Sequence, residues 1–172
     1  MLKEYRPAIL FLATYIALYL ALNTIYAIVI DRYAPGPDPV TIIVTREATA
    51  ILTLFHDNVN YFVSSTVANV PITKDGNVVV EVYEGCNSIN VLIVYISFIL
   101  AFRGPRGRFF AYLLIGGTTI YIVNLFRVIA LYAVAFHFPN SLYFFHKFFF
   151  TGIIYGLVFV MWYFWIQASK NK

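Results

Sequence analysis

The run FFAYLLIGGTTIYIVNLFRVIALYAVAF, from Phe109 to Phe136, decides how this chain folds. It exceeds the roughly 20 helical residues that cross a hydrocarbon core about 30 Å thick, and Arg127 is its only charged residue. Three more apolar runs flank it: Ala8 to Ile30, Cys86 to Phe102 and Phe148 to Ile166. The whole chain of 172 residues is 61% hydrophobic and 12% charged, well above the roughly 45–50% apolar content of soluble domains. A soluble core of this size cannot hide so much apolar surface. The expected architecture is an all-α integral membrane domain over residues 1–172. It has four transmembrane helices at about 8–30, 86–102, 109–136 and 148–166, and an insert at 31–85. The first run is read as a retained span rather than a cleaved signal, because Ile28, Val29 and Ile30 lead directly into Asp31-Arg32 with no small-residue cleavage pattern.

The net charge of +4 does not point to nucleic acid, because the basic residues sit at the ends of apolar runs rather than along one polar stripe. Lys3 and Arg6 precede the first run, Arg103, Arg106 and Arg108 fill the link between the second and third, and Lys170 and Lys172 close the chain. Lys and Arg mark the cytoplasmic side of short connections. Both termini are therefore expected in the cytoplasm, with the insert and the His137 to Lys147 link on the outer face of the cell membrane.

The insert carries its own signals. Val44, Ala48, Ile51, Leu52, Phe55 and Val59 recur at helical spacing, which predicts an amphipathic helix over roughly Val40 to Asn60. Val67 to Ile72 and Val78 to Tyr83 flank Lys74-Asp75-Gly76-Asn77, and Asp-Gly between β-branched runs is a hairpin signal. Ala34-Pro-Gly-Pro-Asp-Pro39 reads as an irregular link.

Four positions could carry chemistry. An arginine inside an apolar span costs several kcal/mol unless it faces the bundle and finds partners, so Arg127 is expected to point inward, braced by Asn124 three residues earlier; a snorkelling arginine is the alternative. Cys86, the single cysteine, excludes internal disulfides and thiolate-rich metal sites. It is read as opening the second span, where unpaired helical N–H groups and Arg127 favour a thiolate and Glu81 and Glu84 oppose it. Its thiol is expected to titrate below about 8.5; an inert small hydrophobe is the bland reading. His146, or His137 across the Phe138-Pro139-Asn140 link, could titrate near neutral pH, while His56 reads as a polar-face residue. Three histidines without carboxylates at ligand spacing imply no metal site. Gly152 and Gly156 would admit a close helix, either a bundle neighbour or a substrate helix. Cys86, Arg127 and His146 come from three runs yet lie toward one leaflet, and a thiol, a cation and an imidazole together suit acyl transfer.

The stretch Glu84-Gly-Cys-Asn-Ser-Ile89 resembles the cysteine motif at the head of a span in the exosortase/archaeosortase family of membrane transpeptidases. Asn124-Leu-Phe-Arg127 is similar to that family's N-x-x-R, and His146 stands where the family places a histidine before the last span. The resemblance covers about Glu81 to Trp162 and is to short members such as the F-type exosortases. This chain has Asn87-Ser88 and Asn90 where many members have Ser-Gly and a further arginine. The resemblance implies that Cys86 attacks a C-terminal sorting signal of a secreted protein at the outer face, with Arg127 and His146 as its partners and Asn124 and Glu84 in support. A thioester would then pass to a lipid or glycan acceptor, or to water. No cofactor is implied. The competing reading is a non-enzymatic membrane subunit that uses Arg127 to pair with a partner's carboxylate.

Overall fold

The computed structural model describes residues 2–102, 104 and 106–170. Arg103 and Lys172, on which part of the orientation reading rests, lie outside the described residues. Helix α1 (Leu2–Tyr33) is continuous, and three of its polar side chains bond to its own backbone. The Thr14 and Thr24 hydroxyls and the Asn23 amide each donate to the carbonyl one turn back, at 2.7 to 2.9 Å. Phe11 packs edge-on against Phe98 and Phe102, which fastens α1 to helix α3 (Ile89–Ala101).

Among the described residues, three helical segments are long and apolar enough to cross a membrane: Tyr5–Tyr33, Phe109–His137 and Pro139–Lys170. The expected second span, Cys86 to Phe102, is shorter than read. Helix α3 has 13 residues, about 20 Å at 1.5 Å per residue, because the chain before it is not helical. Glu84–Cys86 form a 3-10 turn, and Ser88 adopts a left-handed φ of 71° that no α-helix continues through. Helix α4 (Phe109–His137) matches the third run. The last segment is built of α5 (Leu142–Phe144), a π-helical turn (Phe145–Phe149) and α6 (Phe150–Lys170). At one end α3, α4 and α6 share a core of Val91, Tyr95, Ile99, Ile120, Ile154, Val158 and Trp165. Gly116 permits their close approach, since a Cβ there would lie 2.1 Å from the Tyr95 hydroxyl. That hydroxyl instead donates to the Tyr112 carbonyl at 2.7 Å.

The insert is more than a helix and a hairpin. Helix α2 (Pro39–Leu52) begins at Asp38, whose carboxylate accepts from the Val40 and Thr41 N–H groups, the arrangement that satisfies orphan N-terminal donors. It buries Val44, Ala48 and Leu52, as the spacing implies. It ends eight residues before the expected Asn60, because Asn58 takes a left-handed φ of 58° and turns the chain into strand β1 (Val59–Tyr61). Strands β2 (Val70–Lys74) and β3 (Asn77–Val82) are the expected hairpin, closed by Asp75 and Gly76 with positive φ at both, which the two-residue turn requires. The three strands pair antiparallel in the order β1-β2-β3, so the expected small hairpin between the first two apolar runs is part of a three-stranded sheet in a mostly helical fold. Val59, Ile72 and Val82 join Val44, Ala48 and Leu52 of α2 and Val128 and Tyr132 of α4 in a second core, and Cys86 is part of it.

Candidate active site

The 3-10 turn after β3 delivers Cys86. Gly85 makes this possible: a Cβ there would come within 2.4 Å of the Tyr83 ring, so only glycine lets that ring fold back over the turn. Cys86 is 3% exposed. Its Sγ lies 3.4 Å from Nε2 of His146, which the π-helical turn presents. Single π-helical turns in otherwise α-helical segments recur at functional sites. From α4, Arg127 brings its guanidinium to 3.4 Å from the same Nε2. The described geometry thus gathers the thiol, the cation and His146, whereas His137 is exposed, with its ring 5.0 Å from that of Phe136.

This sharing fixes a tautomer. A guanidinium has only donors, so Nε2 must accept, and the proton of a neutral His146 then sits on Nδ1. The lone pair of Nε2 faces both Arg127 and the thiol. Arg127 is buried and its Nε has no hydrogen-bond partner among the described residues, which leaves one donor of the charged group available.

Asn124 is buried as expected but has a different partner. Its amide donates 2.7 Å to the Cys86 carbonyl, and its own Oδ1 is without a partner among the described residues. It therefore holds the cysteine turn rather than the arginine: its N–H needs an acceptor, which the Cys86 carbonyl offers and a guanidinium does not. The thiol also departs from expectation. Burial pushes it above its ordinary value, and the Arg127 charge and bonds from Tyr83 only partly offset this, with Glu84 adding to the rise. A helix terminus cannot help, because α3 begins three residues further on.

Two groups of residues at the site gave no signal in the sequence. Asn87 donates to the Tyr26 hydroxyl at 2.6 Å and the Thr41 hydroxyl at 3.1 Å, and lies 3.4 Å from the Asp38 carboxylate. It ties α1 and α2 to the cysteine turn, and its Oδ1 accepts from the Ile89 N–H to start α3. Tyr83 stacks obliquely 6.1 Å from the His146 ring. His56 packs beside Tyr132 and Phe136 instead of facing water. Gly152 and Gly156 meet nothing within 4 Å, so they do not serve a neighbour among the described residues. Among the described residues there is also no cluster of metal-binding side chains.

The family model "Transmembrane exosortase (Exosortase_EpsH)" matches residues 1–166. The chain is a member of the transmembrane exosortase family. Neither a curated protein nor a solved structure matches it. For this exosortase the match spans nearly the whole chain, so the insert and α1 belong to the family pattern together with the cysteine turn and the later helices.

Proposed function

We propose that this exosortase is a membrane cysteine transpeptidase that cleaves a C-terminal sorting signal of secreted proteins, with Cys86 as nucleophile, His146 as proton carrier and Arg127 as the charge that receives the oxyanion. The observation that carries this reading is the single nitrogen, Nε2 of His146, held 3.4 Å from both Sγ and the guanidinium. A neutral thiol beside an imidazole lone pair is the resting state of a general-base mechanism. As a peptide carbonyl approaches, Nε2 takes the thiol proton while sulfur forms the C–S bond. The oxyanion of the tetrahedral species turns to Arg127, whose free Nε–H supplies a donor for it. Collapse breaks the C–N bond, and His146 returns its proton to the leaving amine. The thioester then yields to an amine acceptor or to water, which regenerates the thiol. Asn124, bonded to the Cys86 carbonyl, positions the nucleophile.

The basic residues flanking the spans support placing the termini in the cytoplasm and the cysteine turn at the outer face of the cell membrane. The substrate on this reading enters with its C-terminal helix in the bilayer and its cleavage point at the membrane surface.

The test is processing of tail-anchored secreted proteins in cells carrying variants. Cys86→Ser abolishes processing while the protein stays folded and inserted. His146→Ala lowers the rate by roughly 100- to 10,000-fold, the usual contribution of a positioned proton carrier. With a slow acceptor, a hydroxylamine-sensitive adduct accumulates on Cys86 and is read by intact mass. Normal processing in Cys86→Ala refutes the enzyme and favours the partner-subunit reading. Analysis of the released C-terminus distinguishes transfer from hydrolysis.

A further inference from the structure

Among the described residues strand β3 is an edge strand: it pairs with β2 on one side only. Natural edges are protected by lysine, proline or a covering element, but this one reads Asn77-Val-Val-Val-Glu-Val82, and Val78 is 58% exposed. A groove of about 520 Å³ follows it, touching each of the six residues Val78 to Tyr83 in succession and ending on Cys86 and His146. Side chains alternate faces along a strand, so a groove that touches every successive residue runs along an edge, not over a face. Its far wall is Leu131 of α4 and Leu142 and Tyr143 beyond the corner.

The register shows which main-chain groups face this groove. The Pro71 carbonyl accepts from the Phe62 N–H at 3.3 Å, so the polar groups of Pro71 face β1. Its partner across β2 and β3 is Glu81. That pair is therefore a non-hydrogen-bonded one, and the N–H and C=O of Glu81 point away from β2 into the groove. Tyr83, extended at φ −132° and ψ 176°, turns its N–H the same way two residues later. Three aligned main-chain groups thus lead to the nucleophile without a partner strand.

We propose that the substrate segment just upstream of the scissile bond binds as an added β-strand on the open edge of β3, with alternate apolar side chains in the groove. The strand runs in the same direction as β3. Lys74, before the turn, sits over the Phe136 ring near the end of α4, whereas Cys86, after β3, shares the His146 ring with Arg127, nine residues before Phe136 on that helix. β3 thus descends α4 toward the bundle, as does a chain passing from outside to a membrane anchor. Main-chain pairing accepts many sequences and takes its selectivity from alternate side chains, here small apolar ones to match the valines. The inference takes its occupant from the transpeptidase reading, but its test does not depend on turnover.

The test compares two alkylating probes on the full-length protein in detergent: acetyl-Val-Thr-Val-Ala chloromethyl ketone and acetyl-Ala chloromethyl ketone. Both transfer the methylene carbon to Cys86 and release chloride, so thiol reactivity cancels in the ratio of their rates. The tetrapeptide is expected to react at least about tenfold faster, the factor that two extra main-chain bonds provide. Methylating its amide nitrogens one at a time removes the advantage at alternate positions only. Glu81→Pro deletes an outward N–H without touching the β2 ladder and lowers the ratio. Equal rates for the two probes, or N-methyl effects without alternation, overturn the proposal. The N-methyl series uses the wild-type protein, so it decides the matter even if Glu81→Pro fails to fold. A high ratio in a protein whose Cys86→Ala variant still processes normally leaves the strand site standing and removes the transpeptidase reading.

Discussion

Replacing Arg127 by methionine isolates the effect of one charge on one thiol. Both Sγ and the guanidinium contact Nε2 at 3.4 Å, so they lie no more than about 6.8 Å apart, and at an effective dielectric of about 20 their attraction is worth about 2.4 kcal/mol. Cys86 and Arg127 are both buried, so little screening by water intervenes. Removing the charge should deplete the thiolate about 50-fold at fixed pH, since each 1.4 kcal/mol is a factor of about ten. Iodoacetamide labelling followed by intact mass reads this directly, because the chain has no other cysteine. Arg127→Met is expected to label about 50-fold more slowly than wild type near pH 8, and Arg127→Lys to fall between them, since an ammonium keeps the charge but not the planar fork. The pH profile carries the sign: burial holds the wild-type thiol above its ordinary value, so its labelling rate should still be climbing where free cysteine has levelled off. Equal labelling by wild type and Arg127→Met would show that the guanidinium does not act on the sulfur, and the electrostatic half of the mechanism would fall.

Two other outcomes follow. Asn87→Leu strips partners from the buried Asp38 and from the Tyr26 and Thr41 hydroxyls. At about 1–3 kcal/mol for an abandoned buried group, it should lower the melting temperature in detergent by several degrees; an unchanged melting curve would mean that water substitutes for the amide. A membrane-impermeant maleimide applied to intact cells should label Cys86 from outside, and labelling only after permeabilisation would invert the proposed topology.

The apolar runs fix where helices form, because hydrophobic length is a local property: the run from Phe109 to Phe136 emerged as α4 with one further residue. Asp75-Gly76 likewise marked its turn, since positive φ at both positions is a demand on those two residues alone. The order of Cys86, Arg127 and His146 along alternating spans was enough to place all three toward one end. Where α2 stops and β1 begins was not legible, because a left-handed Asn58 and a third strand are stabilised by pairing with β2 rather than by their own propensity. Nor was the partner of Asn124, which lies 38 residues away in sequence, or the bonds from Asn87 to Asp38, 49 residues away. The raised thiol shows the same division. Its neighbours in sequence suggested a helix terminus and a stabilised thiolate, but the desolvation that outweighs Arg127 comes from the core shared by α2, the sheet and α4. Composition and periodicity determined which segments are long and apolar enough to cross a membrane and which residue types they carry. Tertiary packing alone decided the burial of the thiol, the contact of His146 with Arg127 and the open strand edge, because each depends on groups that lie far apart in sequence.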